Sequence, residues 1–176
     1  IEFFHSFLEK AGLYCGNANK ADIFEIGCSE GMLLAKLKSC GHRVQGCEVN
    51  TEIAERGSLS LGVDITISAF EDLALAQDQF DYVISFHTIE HMKYPLLIFK
   101  KISRILRKNG SVIIEVPGGE EEYSNLDHLH FFCAKSLQIL LDNFFGNSVV
   151  IENSYRNSEG PRILSYYGIG TDPKRP

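Results

Sequence analysis

The residues best suited to chemistry fall in three short stretches. "DIFEIGCSEGMLLAKL" sets Glu25 near the end of an apolar run, two residues before a turn punctuated by Gly27 and Gly31. Glycines there let the backbone approach a ligand with no Cβ in the way, and a helix beginning at Gly31 turns unpaired N–H groups toward it. "RVQGCEVN" reaches Glu48, 21 residues beyond Gly27. A carboxylate at that strand end can accept from both hydroxyls of a nucleotide ribose. "VISFHTIEH" and "DHLHFF" supply His87, His91, His128 and His130, four of the six histidines. Histidine titrates near neutrality, so it suits removal of a proton from an acceptor group.

Alternating strand and helix signals must position these groups. "ADIFEIG", "RVQGCEV", "VDITIS", "FDYVISF", "SVIIEVP", "NSVVIENSY" and "RILSYYGIG" read as seven strands. Between them, helical patterns run from Gly31 to Ser39, from Thr51 to about Leu61, through "PLLIFKKISRILRK" and through "AKSLQILLDNFF". "EDLALA" gives one or two turns, Ser124 to Phe132 is irregular, and "IEFFHSFLEKAG" adds an N-terminal helix. Helices between nearly continuous apolar strands imply a parallel sheet covered on both faces. The last two strands are joined only by "RNSEGP", too short for a crossover, so they pair as an antiparallel hairpin. The expectation is one domain over 1–176, with 1–20 a helical lead-in and 21–170 the core.

Composition narrows the partners. Net charge is −6, and the richest cationic cluster (Lys100, Lys101, Arg104, Arg107, Lys108) lies at helical spacing before a turn, where a solvated helix end accounts for it. Nucleic acid is therefore not expected as a partner. No apolar run has membrane-spanning length, and no signal peptide is visible. Five cysteines without a CxxC pair predict a reduced, cytoplasmic protein and no structural zinc. His128 and His130 have no third ligand at recognisable spacing, so no metal is expected. The chain begins at Ile1 rather than Met, which leaves open an element before it.

Five segments in this order, "FEIGCSEG", "GCEVN", "FEDL" before "FDYVISFHTIEH", "ILRKNGSVIIEVPG" and "DHLHFFCAKSLQILL", resemble the class I S-adenosylmethionine (SAM)-dependent methyltransferases. The resemblance covers roughly Ala21 to Gly170. It implies an α/β, Rossmann-like, seven-stranded, mostly parallel sheet of order 3-2-1-4-5-7-6, strand 7 antiparallel, with helices on both faces. It also implies SAM as cofactor. Glu25 would lie near the cationic methionine part, Gly27, Cys28, Ser29 and Gly31 would form the ligand turn, and Glu48 with Val49 would meet the ribose. Ser29 stands where the family commonly has glycine. Ala69 occupies a slot where the family often has Asp reaching the adenine, so Phe70 and Glu71 are the remaining candidates there. Ser85, Phe86 and His87 would border the methionine part. Glu90 and His91 match the family's "EH" pair, and His128 matches a histidine of relatives that read "EHLRFF".

Methyl transfer from a sulfonium is an in-line displacement with a neutral leaving group, so positioning dominates the catalysis. An acceptor hydroxyl or acidic carbon also needs a base. The catalytic candidates are His128, with Asp127 to orient it, then His130 and His87. By resemblance the acceptor is a small molecule of quinone-precursor, sugar or metabolite type, methylated on O, C or N; a homodimer is left open. Two readings compete. A non-catalytic SAM-binding or dimerisation module would keep the fold, and an NAD-dependent oxidoreductase would want G-x-G-x-x-G where this chain steps from Gly27 to Gly31.

Overall fold

The computed structural model describes residues 13, 20–119, 125–156 and 162–174. The N-terminal helix expected from "IEFFHSFLEKAG" and the tip of the terminal hairpin lie outside them. The chain divides into two compact units, Ile1–Leu73 and Ala74–Pro176. Seven strands form one sheet in the order β3-β2-β1-β4-β5-β7-β6.

The first unit carries β1 (Asp22–Ile26), α1 (Met32–Ser39), β2 (Arg43–Glu48), α2 (Thr51–Leu61) and β3 (Asp64–Ile67). β1 pairs in parallel with β2, and β2 with β3, as strands joined through helices do. Ile23, Phe24 and Ile26 of β1 are buried, so the strand reads as an unbroken apolar run because both of its faces are covered. Asn50 rather than Thr51 caps α2: its side chain accepts from Ile53 N at 3.1 Å. Gly62 ends that helix in the left-handed conformation. "EDLALA" yields only a 3₁₀ turn, Phe70–Asp72.

The second unit holds β4 (Phe80–Phe86), a 3₁₀ turn Ile89–His91, α3 (Pro95–Ile105), β5 (Leu106–Gly118), α4 (Ala134–Phe144), β6 (Phe145–Arg156) and β7 (Arg162–Pro173). β4 and β5 are parallel, whereas β7 runs antiparallel to both β5 and β6, in accord with the expected hairpin. α3 stops at Ile105, three residues short of the sequence expectation. The β4–β5 register jumps from Phe80↔Leu106 to Tyr82↔Ser111, which sets 107–110 outside the regular ladder. Arg107 of that excursion pairs with Asp81 at 2.6 Å, consistent with a solvated cationic cluster.

Two cysteine and histidine positions bear on the sequence reading. Cys28, Cys47 and Cys133 are free thiols, but Cys40 is disulfide-bonded, so the expectation of a wholly reduced chain is corrected there. The spacing rule failed because disulfide partners are chosen by proximity in the fold, not by CxxC patterns. His42 is buried and satisfied, with Ala21 N donating to its Nδ1 at 3.3 Å and Nε2 lying 3.0 Å from Leu13 O. Among the described residues, no helix is long and apolar enough to cross a membrane.

Candidate functional site

In the first unit the site is the turn between β1 and α1. Gly27, Ser29 and Gly31 all have positive φ (68°, 50° and 73°), so the chain turns back on itself within five residues. Glycine carries the left-handed conformation at two of these without the Cβ penalty, and Ser29 bears it as a residue with a side chain. The turn is tied down from inside. Gly27 N and Cys28 N both donate to Cys47 O, at 2.9 and 3.0 Å, and Gly31 N donates to Cys28 O at 2.8 Å. The turn's own amides therefore hold its shape. The unpaired donors available to a ligand belong to the first turn of α1, before the first intrahelical bond from Ala35 N to Gly31 O.

Glu48 at the end of β2 completes the arrangement. Its Oε2 accepts from Ser29 N at 3.0 Å, and its Oε1 accepts from Val49 N and Asn50 N at 2.8 and 2.9 Å. Of the roughly four lone-pair positions of a carboxylate, three are thus occupied. Glu48 locks the Ser29 corner onto the strand end and keeps about one acceptor position for a ligand hydroxyl. The sequence reading gave it only the ligand role.

Glu25 is 6% exposed, and its Oε2 has no hydrogen-bond partner among the described residues. Burial pushes its carboxyl up to about 8. A buried carboxyl with an unpartnered oxygen is a group that a cationic ligand would suit. Cys28 is buried against Leu34 and Val63, and burial together with the neighbouring Glu25 pushes its thiol up, so its side chain is a core group and not a nucleophile. Phe70 is likewise core: it is 1% exposed and its ring packs on Phe24 with centroids 6.0 Å apart. A stacking role for that ring is ruled out, which leaves its backbone and the exposed Glu71.

In the second unit β4 ends on Ser85, Phe86 and His87. Ser85 is fully buried and its hydroxyl has no partner among the described residues. His87 is held at φ +49°. Its Nε2 lies 3.3 Å from Glu115 Oε1 and its Nδ1 3.6 Å from Glu90 Oε1. Glu115 and Glu90 push the imidazole up to about 10 against the opposing effect of burial. The neighbouring acids thus favour the protonated form of His87.

The 3₁₀ turn Ile89–His91 presents the remaining histidines. Glu90 O accepts from Leu129 N and His130 N, at 2.8 and 3.1 Å, which draws the 128–130 segment onto the turn. His91 Nδ1 lies 2.9 Å from Asp127 O, so its N–H points at that carbonyl. The His91 and His128 rings meet edge to face with centroids 4.8 Å apart and an interplanar angle of 74°. Ligand atoms of Glu90, His91 and His128 all lie within 4.8 Å of one another, a grouping that the sequence spacing did not show. His130 is set apart: its Nε2 is buried without a hydrogen-bond partner among the described residues, and its ring leans on Phe132 at 6.3 Å. The Asp127 backbone carbonyl thus orients His91.

A family model described as a methyltransferase domain matches residues 24–114, just over half of the chain. The chain belongs to that family. A ubiquinone biosynthesis O-methyltransferase from Aeromonas salmonicida is 29% identical over 98 residues, which are 52% of this chain and 41% of that protein. The match therefore spans less than half the length of that relative. Among solved structures, a SAM-dependent methyltransferase from Thermotoga maritima superposes with a TM-score of 0.71 at 23% identity, covering 88% of this chain and 84% of the other. A phosphoethanolamine N-methyltransferase from Haemonchus contortus, solved with S-adenosylhomocysteine, gives a TM-score of 0.78 at 14% identity, covering 97% and 53%. These likenesses place the methyltransferase domain's fold.

Two residues of this methyltransferase domain, Glu115 and Gly57, escaped the sequence reading, and the burial of a third, Glu90, was not visible in it. Glu115 lies in the middle of "SVIIEVP", where a charge inside an apolar strand was a visible signal of a buried partner. Glu90 is wholly buried, which the "EH" pair does not announce. Gly57 lies where α2 crosses the ligand turn: a Cβ there would stand 2.1 Å from Glu30 O, so only glycine allows that close approach.

Proposed function

We propose that this chain is a SAM-dependent methyltransferase acting on a small-molecule acceptor, most simply a hydroxyl of a quinone-precursor or related metabolite. The observation that carries the reading is Glu25, a buried carboxylate with an unpartnered oxygen two residues before the Gly27 turn. SAM brings a sulfonium and an ammonium, the cationic chemistry that such a carboxylate lacks. Glu48, with its remaining acceptor position, suits a ribose hydroxyl. SAM supplies the methyl group as an electrophile when bound.

The chain's own contribution is positioning and proton handling. The Gly27–Gly31 turn and Glu48 are the groups suited to fix the ligand's orientation. His128, in ring contact with His91, is the candidate base for the proton of an acceptor hydroxyl, and His91 is oriented beside it by Asp127 O. The name of the Aeromonas salmonicida relative supports an oxygen acceptor. A screen of hydroxyl, amine and carbon acceptors for S-adenosylhomocysteine release tests the reading, and release with a hydroxyl acceptor is expected. Tight SAM binding with no turnover on any acceptor would instead support a non-catalytic module.

A further inference from the structure

In the second unit the 3₁₀ turn Ile89–His91 and the segment that follows β5 bring a carboxylate and two imidazoles together. Glu90 is 0% exposed, and both of its carboxylate oxygens lack a hydrogen-bond partner among the described residues. His87 Nδ1 stands 3.6 Å from Glu90 Oε1, and the other nitrogen of that ring is turned to Glu115, so His87 does not satisfy Glu90. A buried carboxylate with nothing to pair it is costly, and the usual remedies are an ion partner or a metal. His91 Nε2 lies 4.0 Å from Glu90 Oε1, and the ligand atoms of Glu90, His91 and His128 all fall within 4.8 Å of one another. The His91 side chain is 38% exposed, so the cluster opens to solvent above a buried acidic floor.

We propose that Glu90, His91 and His128 form a binding site for a divalent transition-metal ion of the zinc class. Glu90 is the buried anionic ligand, and the two imidazoles close over it. Two nitrogens and one carboxylate oxygen are a donor set for zinc, cobalt or nickel, whereas magnesium and calcium take oxygen ligands. Zinc holds such ligands at about 2.0–2.2 Å, which sets them about 3.4 Å apart in a tetrahedron. The present separations, 4.8 Å at most, close to that by rotation of the two partly exposed rings. One outer partner is already in place. Asp127 O lies 2.9 Å from His91 Nδ1, and a metal-bound histidine characteristically donates its other N–H to such a carbonyl. Backbone bonds keep the third ligand near, since Leu129 N and His130 N both donate to Glu90 O. Three protein ligands leave a fourth position open. In its neutral form His128 has one unprotonated nitrogen, which serves either the cation or a substrate proton, so ligation and the base role exclude each other. The sequence sets His128 beside His130, but the fold sets it against His91 and Glu90, which supply the ligands that spacing did not show. The inference goes beyond the methyltransferase reading and requires neither SAM nor an acceptor, so the two fail separately.

The test is calorimetric titration of the intact chain with Zn²⁺, and separately with Mg²⁺, in the absence of SAM and acceptor. About one equivalent of Zn²⁺ is expected to bind, and Mg²⁺ is expected not to displace it. His91→Gln and His128→Gln, made singly, each weaken zinc binding by about 100-fold or more, since loss of an outer partner alone costs about 10–100-fold. Glu90→Gln shows the same loss, and the two histidine variants carry the test should that buried substitution not fold. Cys133→Ser removes an exposed free thiol able to capture zinc adventitiously, and leaves the affinity unchanged. Absence of zinc binding overturns the proposal. So does zinc binding that both histidine substitutions leave intact, or that Cys133→Ser abolishes. Displacement of zinc by Mg²⁺ overturns the class of cation assigned.

Discussion

Replacing Gly57 by alanine sets two physical effects against each other. By helix propensity alone the change should help, because alanine in a helix interior is favoured over glycine by about 1 kcal/mol. Gly57 is in the second turn of α2, well inside the helix. The added methyl, however, would stand 2.1 Å from Glu30 O, 2.6 Å from its carbonyl carbon and 2.7 Å from its Cα. These are backbone atoms of the ligand turn, so no side chain can swing away, and the helix or the turn must move by about an ångström. Overpacking of that kind costs about 1–3 kcal/mol, and the clash here is at the high end because backbone must give. The net expectation is a loss of about 1–2 kcal/mol, or about 2–8 °C in the melting temperature of a chain of this size. Denaturant unfolding of wild type and variant measures it. Gly62→Ala is the control: nothing stands within 4 Å of its Cβ, so only its φ of +62° costs stability, about 1 kcal/mol. A Gly57→Ala chain as stable as wild type or more so would refute the close-approach argument.

Glu48→Ala removes the acceptor for three backbone N–H groups along with the ribose contact, and is expected to weaken SAM binding at least tenfold by calorimetry. Unchanged affinity would remove Glu48 from the cofactor site. His128→Ala is expected to lower turnover by about 100-fold or more with little change in SAM affinity, which initial-rate and binding measurements separate. Stability should fall as pH rises. His87 is raised from 6.5 to about 10, so its interaction is fully present below pH 6.5 and is lost as pH approaches 10. Because the side chain is 43% exposed, solvent screening leaves about 1–2 kcal/mol of that effect. Unfolding curves across that range would show the decline in wild type and a flatter profile in His87→Gln.

Much of the fold was legible because the apolar strands are continuous and the connecting lengths differ. Phe80–Phe86 and Asp22–Ile26 announce buried parallel strands, and the short link before Arg162 requires a hairpin. The end of α3 was misplaced because "ILRK" continues a helical pattern, while the β4–β5 pairing captures Leu106 for the sheet. At the site, Gly27, Gly31 and Glu48 were readable from type and spacing. What was not readable is tertiary. His87 reads as a base in the sequence, and Glu115, 28 residues beyond it, meets it only when β4 and β5 pair. Phe70 shows the converse, an aromatic at a ligand segment that the core claimed.

The central claim is that the Glu25 carboxyl and the glycine turn receive a cationic, ribose-bearing ligand. Calorimetric titration with SAM, repeated in buffers of different ionisation enthalpy and beside NAD, tests it most directly. Burial holds Glu25 at about 8, so at pH 7 it is mostly protonated, and a cation arriving beside it should ionise it. The account predicts SAM binding with release of about one proton, abolished in Glu25→Gln, and no binding of NAD. SAM binding without proton release would contradict the role given to Glu25, and absence of SAM binding would contradict the account as a whole.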